Sequence, residues 1–413
     1  MKWTPAGRQT TLLALVLIVA GVLFVLLGLQ GLWSSYKLPL RSPTPATASL
    51  IAAPKPTATE PLLPPPPTPT ILHRLTSPHE PTQQPVVTAI QPTSAPQETI
   101  APFAPADGLY TLQQRLGVGG ANLFNVEDRA RRLGFGWYLD WTVNPNRFHS
   151  AELEYVPMIR MREDGSSPDG PALLSAVDAL PGALWLVGNE PDVKWQDNVT
   201  PDAYARAYHD LYARIKSRDP TSRVAIGGVS QPTPLRLRYL DLILQAYETR
   251  YGERMPVDVW NVHNFILREE RDSWGVDIPP GMTDQTGRLR EIDDHDDLSI
   301  FRQQIVDFRR WMKAQGQQDK PLIVTEYGIL MPAEYGFAPQ EVERFMLGTF
   351  EFFRSAIDPA LGYPADGYRL VQRWCWFSLV DERYPTGNLV QVNSEELTPL
   401  GAAFGEYASS SSE

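Results

Sequence analysis

The sequence predicts an α/β fold, a (β/α)8 TIM barrel, preceded by a transmembrane helix and a disordered Pro-rich linker. Three observations carry that expectation. One charge-free apolar run lies near the N-terminus, a proline-rich stretch follows it, and from Leu109 onward short apolar runs alternate with amphipathic segments.

Residues 1–9 read as a short cytoplasmic tail, followed by "TTLLALVLIVAGVLFVLLGLQGLW", Thr10 to Trp33. As a helix this run would span about 36 Å, enough to cross a bilayer with some tilt. Cleavable signal peptides have apolar cores of about 7 to 15 residues ending at a small-x-small site, which is not found here. The run is therefore expected to be an uncleaved signal-anchor, with Trp33 and Tyr36 at one interface and the N-terminus inside. Residues 34–108 form the next segment, and between Pro39 and Pro105 the chain is rich in Pro, Thr, Ala and Ser. Such a composition buries too little apolar surface to offset the entropy of ordering, so a disordered stalk is expected. A stalk of this kind makes most sense outside the cell, and a single-pass protein with an extracellular domain follows.

The net charge of -11, with no clustered basic face, argues against a nucleic-acid partner. Cys375 is the only cysteine, which excludes an internal disulfide and a multi-cysteine zinc site. Residues 109–407 have the composition of a globular domain, expected to be monomeric, and residues 408–413 read as a flexible tail.

Within that domain the apolar runs are "RLGVGGANLF", "GFGWYLDW", "EYVPMIRM", "ALWLVGNE", "SRVAIGGVS", "VDVWNVHNF", "LIVTEYGIL" and "RWCWFSLVD". Three helices stand out between them. "TPDAYARAYHDLYARIKSRD" opens with Thr200 at the N-cap and Pro201 at the first helical position. "SIFRQQIVDFRRWMKAQG" gathers Ile300, Ile305, Phe308, Trp311 and Met312 on one side, and "PQEVERFMLGTFEFFRSAID" behaves alike. Strands alternating with helices imply parallel pairing, and eight such runs in about 300 residues suit a closed barrel. "GVGG" lacks GxGxxG spacing, so a nucleotide-binding sheet is disfavoured.

A barrel of this kind works at the C-terminal ends of its strands. Those ends carry Asp140 and Trp141, Arg160, Asn189 and Glu190, Ser230, His263 and Asn264, Glu326 and Tyr327, and Trp374 and Trp376. Glu190 and Glu326 end the fourth and seventh strands, on roughly opposite sides of the ring. Two carboxyls facing each other across a sugar are the minimum equipment for glycosidic hydrolysis. Asn189 is then suited to bond a sugar 2-OH, and Tyr327 to donate to the attacking carboxylate. His263 and Asn264 are suited to orient the acid or a hydroxyl. Trp376 or Trp374 is suited to support a sugar face. Trp141, Arg160 and Asp140 are secondary candidates, the last two also suited to ion pairing.

"GNEP" after a fourth strand, "TEYG" after a seventh, His263 on the sixth and a Trp on the eighth resemble the clan of retaining (β/α)8 glycoside hydrolases. Within it the chain is most similar to the endo-β-1,3-glucanase-type catalytic-core families, with β-xylosidase-type members second. The resemblance covers roughly residues 110 to 407. It implies Glu190 as acid/base, Glu326 as nucleophile, a polysaccharide or oligosaccharide substrate, and neither cofactor nor required metal. Many clan members carry His-x-Tyr after the sixth strand, where this chain reads His263-Asn264-Phe265 and lacks the hydroxyl.

Three readings compete with a hydrolase: a carbohydrate-binding barrel without turnover, a transglycosylase of the cell envelope, and a purely structural envelope protein with no glycan affinity. "EIDDHDDLS", residues 291–299, tempts one toward a metal but reads as a solvated face. The long segment from Leu267 to Leu298 is expected to form part of a cleft wall. "NVT" at Asn198 fits a glycosylation sequon.

Overall fold

The computed structural model describes residues 109–120 and 123–410. The tail, anchor and stalk expected over residues 1–108 lie outside them, as do residues 411–413. Among the described residues no helix is long and apolar enough to cross a membrane.

Each of the eight apolar runs contains strand. After a single helical turn, α1 (Leu112–Arg115), come β1 (Leu116–Gly119) and β2 (Trp137–Leu139). The third run is split into β3 (Glu154–Tyr155) and β4 (Met158–Arg162) around Pro157, which has no N–H for the ladder. A short β5 (Gly165–Ser167) folds back antiparallel on β4. Then follow β6 (Leu184–Asn189), β7 (Arg223–Gly228), β8 (Trp260–His263), β9 (Leu322–Glu326) and β10 (Arg373–Phe377).

Helices α2 (Val126–Leu133), α3 (Gly170–Ala179), α4 (Pro201–Arg218), α5 (Pro234–Tyr251), α6 (Leu298–Ala314), α7 (Pro339–Ser355) and α8 (Pro399–Ser409) alternate with these strands. No helix follows β2. Residues 140–153 instead return directly to β3, pinned by Arg147 and Tyr155 on the Asp140 carboxylate. Thr200 occupies the N-cap of α4, but its hydroxyl donates to Glu163 (2.6 Å) rather than capping the helix. In α6 it is Phe301 that is fully buried, with Ile300 only half-buried. The last helix runs to Ser409, two residues past the expected domain end.

The strands form two sheets, in the orders β3-β2-β1-β10-β9-β8 and β5-β4-β6-β7. Every pairing except β4 with β5 is parallel. β3 leads into β4 at one seam, where Met158 N–H donates to Thr142 O (2.9 Å). At the other seam β7 and its end meet β8 through parallel bridges Ala225–Val259 and Val229–Val262. All strands except β5 therefore run the same way, and their C-terminal ends share one face.

Buried apolar residues fall into three groups. A large outer cluster lies between strands and helices and includes Trp185, Tyr204, Phe301, Tyr327, Trp374 and Trp376. A smaller inner cluster holds Trp137, Leu139, Met158, Leu186, Ile323 and Cys375. The third, with Val193, Phe265, Leu267, Val276 and Phe377, lies near the strands' C-terminal ends. A buried ion pair, Arg115 with Asp366 (2.7 Å), joins α1 to the segment before β10.

Candidate active site

The apolar run of β6 ends in a backbone that departs from extended geometry. Gly188 has φ 101°, where a Cβ would crowd Met161 and Tyr204. Glu190 follows at φ 43°, in the left-handed region that non-glycine residues seldom occupy. Its N–H donates to Gly228 O (3.0 Å), and its O accepts from Val193 N–H (3.0 Å), fixing the turn. The carboxyl is thereby aimed at β8 instead of following the strand's alternation.

His263, the last residue of β8, is fully buried. Its Nδ1 lies 3.0 Å from Glu190 Oε1, and its Nε2 lies 3.5 Å from Glu326 Oε1 without a hydrogen-bond partner. Close approach of the imidazole requires Gly228, since a Cβ there would meet His263 Cδ2 at 2.5 Å. One donor atom from each of Glu190, His263 and Glu326 lies within 4.8 Å of the others. Among the described residues this is the one group of His and carboxylates close enough to share a cation. Because the two imidazole nitrogens face different carboxyls, a single ion could take only one of them.

Glu326 ends β9 and is 6 % exposed. Trp141, held at φ 59°, donates its indole N–H to Glu326 Oε1 (2.5 Å). Burial pushes the Glu326 carboxyl up to about 7. His263 and the Trp141 hydrogen bond work against that rise, and the charge of Glu190 adds to it. Burial disfavours a charged His263, but the two carboxylates outweigh it and raise its pKa. His263 and Glu326 therefore do not titrate independently of each other.

These carboxyls lie at the bottom of a cleft of about 540 Å³. Its apolar lining includes Val193, Phe265, Leu267, Val276 and Phe377. Trp195, Trp274, Tyr335 and Tyr384 also line it, and Trp195 and Tyr335 are well exposed. Aromatic faces in a wet cleft offer apolar platforms with a polar edge. The Leu267–Leu298 segment supplies Leu267, Trp274, Gly275, Val276 and Ile292 to one wall.

Of the residues singled out in the sequence, Glu190, His263, Glu326 and Trp141 meet. Asn189 is buried beside them: its N–H donates to Asp197 (2.7 Å), its Nδ2 to Gln196 (3.3 Å), and its Oδ1 has no partner. Arg160 pairs with Asp197 (2.6 Å) at the same edge, and Asp140 pairs with Arg147 (2.6 Å).

Four others point elsewhere. Asn264 is spent on α6, donating to Phe301 O and accepting from Gln304. Tyr327 packs among Phe301, Phe353 and Trp376, with its hydroxyl near Thr349 rather than Glu326. Trp374 and Trp376 share the outer face of β10, packed against Phe350 of α7. It is Phe377, of the opposite parity, that reaches the cleft. The acids of residues 291–299 have local tasks: Asp297 caps α6 and Asp296 pairs with Arg344.

The sequence reading missed Phe377, Trp195, Trp274 and Tyr384. For Phe377 strand parity was the available signal. Trp195 announced itself only as a lone aromatic in the polar "DVKWQDN" that follows the Glu190 turn.

Residues 122–272 match the family model described as glycosyl hydrolase catalytic core. The matched segment holds Glu190 and His263 and ends before Glu326. The part of the chain that holds Glu190 and His263 is thus similar to the catalytic core of glycosyl hydrolases.

Among solved structures, the chain is similar to a GH128 (subgroup II) endo-β-1,3-glucanase from Sorangium cellulosum. Identity is 17%, TM-score 0.47, and coverage 70% of this chain and 97% of that one. A GH128 (subgroup I) endo-β-1,3-glucanase from Amycolatopsis mediterranei, in complex with laminaritriose, is 19% identical, with TM-score 0.47. It covers 71% of this chain and 99% of its own. A GH128 (subgroup III) curdlan-specific exo-β-1,3-glucanase from Blastomyces gilchristii, in complex with glucose, is 19% identical, with TM-score 0.45. Here coverage is 70% and 97%. No curated protein matches the chain.

Proposed function

We propose that this protein is a retaining glycoside hydrolase acting on a β-linked glycan by double displacement. The observation that carries the proposal is the approach of the Glu190 and Glu326 carboxyls to within 4.8 Å, at the bottom of an aromatic-lined cleft. Retaining enzymes keep their carboxyls about 5 to 5.5 Å apart, whereas inverting ones leave about 6.5 to 9.5 Å for a water. The two sheets, joined at both seams, are read as one (β/α)8 barrel, and residues 109–407 as its catalytic domain.

In the first step a Glu326 oxygen attacks the anomeric carbon. Glu190 gives its proton to the departing glycosidic oxygen, and the C–O bond breaks to leave a glycosyl ester on Glu326. Glu190, now a carboxylate, then takes a proton from water, whose oxygen attacks the same carbon and releases Glu326. Trp141 and His263 face the attacking oxygen and stabilise its charge before attack and after release. His263 also holds the Glu190 carboxyl through Nδ1, so a proton lost at one carboxyl is felt at the other.

One observation favours exchanged roles: burial raises Glu326, which suits a proton donor. The hydrogen bond from Trp141, which stabilises the ionised form, favours Glu326 as nucleophile. Azide rescue decides between them. With laminari-oligosaccharides as substrate, Glu326→Ala in azide should release the α-glycosyl azide and Glu190→Ala the β-anomer. The reverse pattern exchanges the roles. Early inversion of configuration by proton NMR, or wild-type rates in either variant, sinks the double displacement. Oligosaccharide binding without turnover would indicate the carbohydrate-binding class instead.

The apolar run of residues 10–33 and the proline-rich residues that follow support a membrane-anchored enzyme displayed outside the cell. A membrane-fraction assay before and after alkaline wash, with protease accessibility in intact cells, tests that placement.

A further inference from the structure

Below the cleft lies a buried charged network that the chemistry above does not use. Arg236, in the first turn of α5, has no solvent exposure. Its Nε donates to Asp192 Oδ2 (2.6 Å) and Ser230 Oγ (2.7 Å). One terminal nitrogen donates to Glu269, and the other to the carbonyls of Val276 (3.3 Å) and Asp277 (3.2 Å). Asp192 and Glu269 are equally buried.

Those partners belong to two different walls. Asp192 lies two residues after Glu190, and its carboxylate also accepts from Ser230 N–H (3.1 Å) and Oγ (2.8 Å). It fixes the turn that aims Glu190 and carries Val193 and Trp195 into the cleft. Glu269, Val276 and Asp277 belong to the opposite wall, where Glu269 also accepts from Arg288 N–H (2.6 Å). The same walls touch at the rim through Lys194, paired with Asp272 (3.2 Å) and Asp277 (3.4 Å). Lys194 and Asp272 are exposed, and Lys194 meets Asp277 only at 3.4 Å, so the rim contact is weak. Underneath, Gln231 and Thr233 bond Leu267 and Glu269, and Arg236 is the side chain that bonds both walls directly.

We propose that Arg236 is a positioning residue for substrate binding: its buried guanidinium fixes the spacing between the Glu190–Trp195 turn and the Glu269–Asp277 wall, and so sets the grip on sugars lying between Trp195 and Trp274. The inference rests on the cleft being a glycan site, as proposed above. A planar fork with five N–H donors can reach two carboxylates and two carbonyls in fixed directions. An ammonium at the same place keeps the charge but loses that reach.

The test is R236K beside R236Q in the otherwise intact chain. In R236K the KM for laminaripentaose should rise about tenfold, the weight of one charge-assisted hydrogen bond. Its kcat should fall less than threefold. R236Q, which leaves Asp192 and Glu269 uncompensated, should raise KM further and lower kcat as well, or fail to fold. Amide hydrogen exchange supplies a readout independent of turnover. In R236K, residues 190–195 and 269–277 should lose protection together while β9 and α6 keep theirs. An unchanged KM, a loss confined to kcat, or loosening of only one wall overturns the proposal. If wild-type protein neither binds nor cleaves laminaripentaose, the glycan reading fails, and the exchange experiment still decides whether Arg236 joins the walls.

Discussion

Replacing Trp141 by Phe removes one hydrogen-bond donor from the centre of the site and little else. The indole N–H meets Glu326 Oε1 at 2.5 Å, where both groups are largely withdrawn from solvent. Phenylalanine retains an aromatic ring against Phe377, whose centroid lies 5.9 Å away. A hydrogen bond to a charged group contributes about 1.5 to 3 kcal/mol. At about 1.4 kcal/mol per decade, its loss should lower kcat/KM by roughly 10- to 150-fold.

The loss should also depend on pH. Trp141 holds the Glu326 pKa down against burial, so without it the value rises above its present level of about 7. As nucleophile Glu326 must be ionised, and the acid limb of the kcat/KM profile follows the pKa in the free enzyme. In W141F that limb should move to higher pH, making the defect greater at pH 6 than at pH 8. Initial rates on laminaripentaose across this range measure it. An acid limb that stays in place, or a loss below about threefold, refutes the role given to this contact. A shift of the alkaline limb instead would assign Glu326 as the proton donor.

Two further predictions concern stability. A carboxyl whose folded pKa is raised to about 7 binds its proton more tightly folded than unfolded, so its contribution weakens as pH climbs from about 4.5 to 7. Glu326→Gln should therefore raise Tm more at pH 8 than at pH 5 in parallel calorimetric scans, and an equal shift at both would contradict it. Arg115→Ala should strip the buried Asp366 carboxylate of its close bidentate partner, leaving only Arg369 at 3.9 Å to pair with it, and cost about 3 to 5 kcal/mol. In a domain of this size Tm should fall by roughly 10 °C, and a fall under about 3 °C would contradict it.

The strands were legible in the sequence because parallel strands buried on both faces read as unbroken apolar runs. Glu190, His263 and Glu326 were legible because a polar residue ending such a run must emerge somewhere, and barrels use that rim. Direction at the rim was not legible. Alternation assigns faces only while the strand remains regular, and here Gly188 and Glu190 turn to positive φ while β8 slips register between Val262 and His263. Tyr327 therefore joined the outer core instead of serving Glu326, and Trp141 took that place. Asn264 went to α6 for the same reason, one residue beyond the slip. On β10 the strand stays regular, and parity alone would have put Phe377 in the cleft and both tryptophans outside. The missing helix after β2 left no sign beyond a short connection. The Arg236 network was unreadable because its members are scattered over Asp192, Ser230, Glu269 and Val276, and only folding brings them together.

Cys375, the chain's one thiol, lies in the inner cluster with no solvent exposure, and burial keeps it protonated. A maleimide or disulfide reagent can reach it only when the strands part. Its labelling rate is therefore a built-in clock for opening of the sheet. That gives a direct count of how often the catalytic scaffold comes undone, without adding any probe to the molecule.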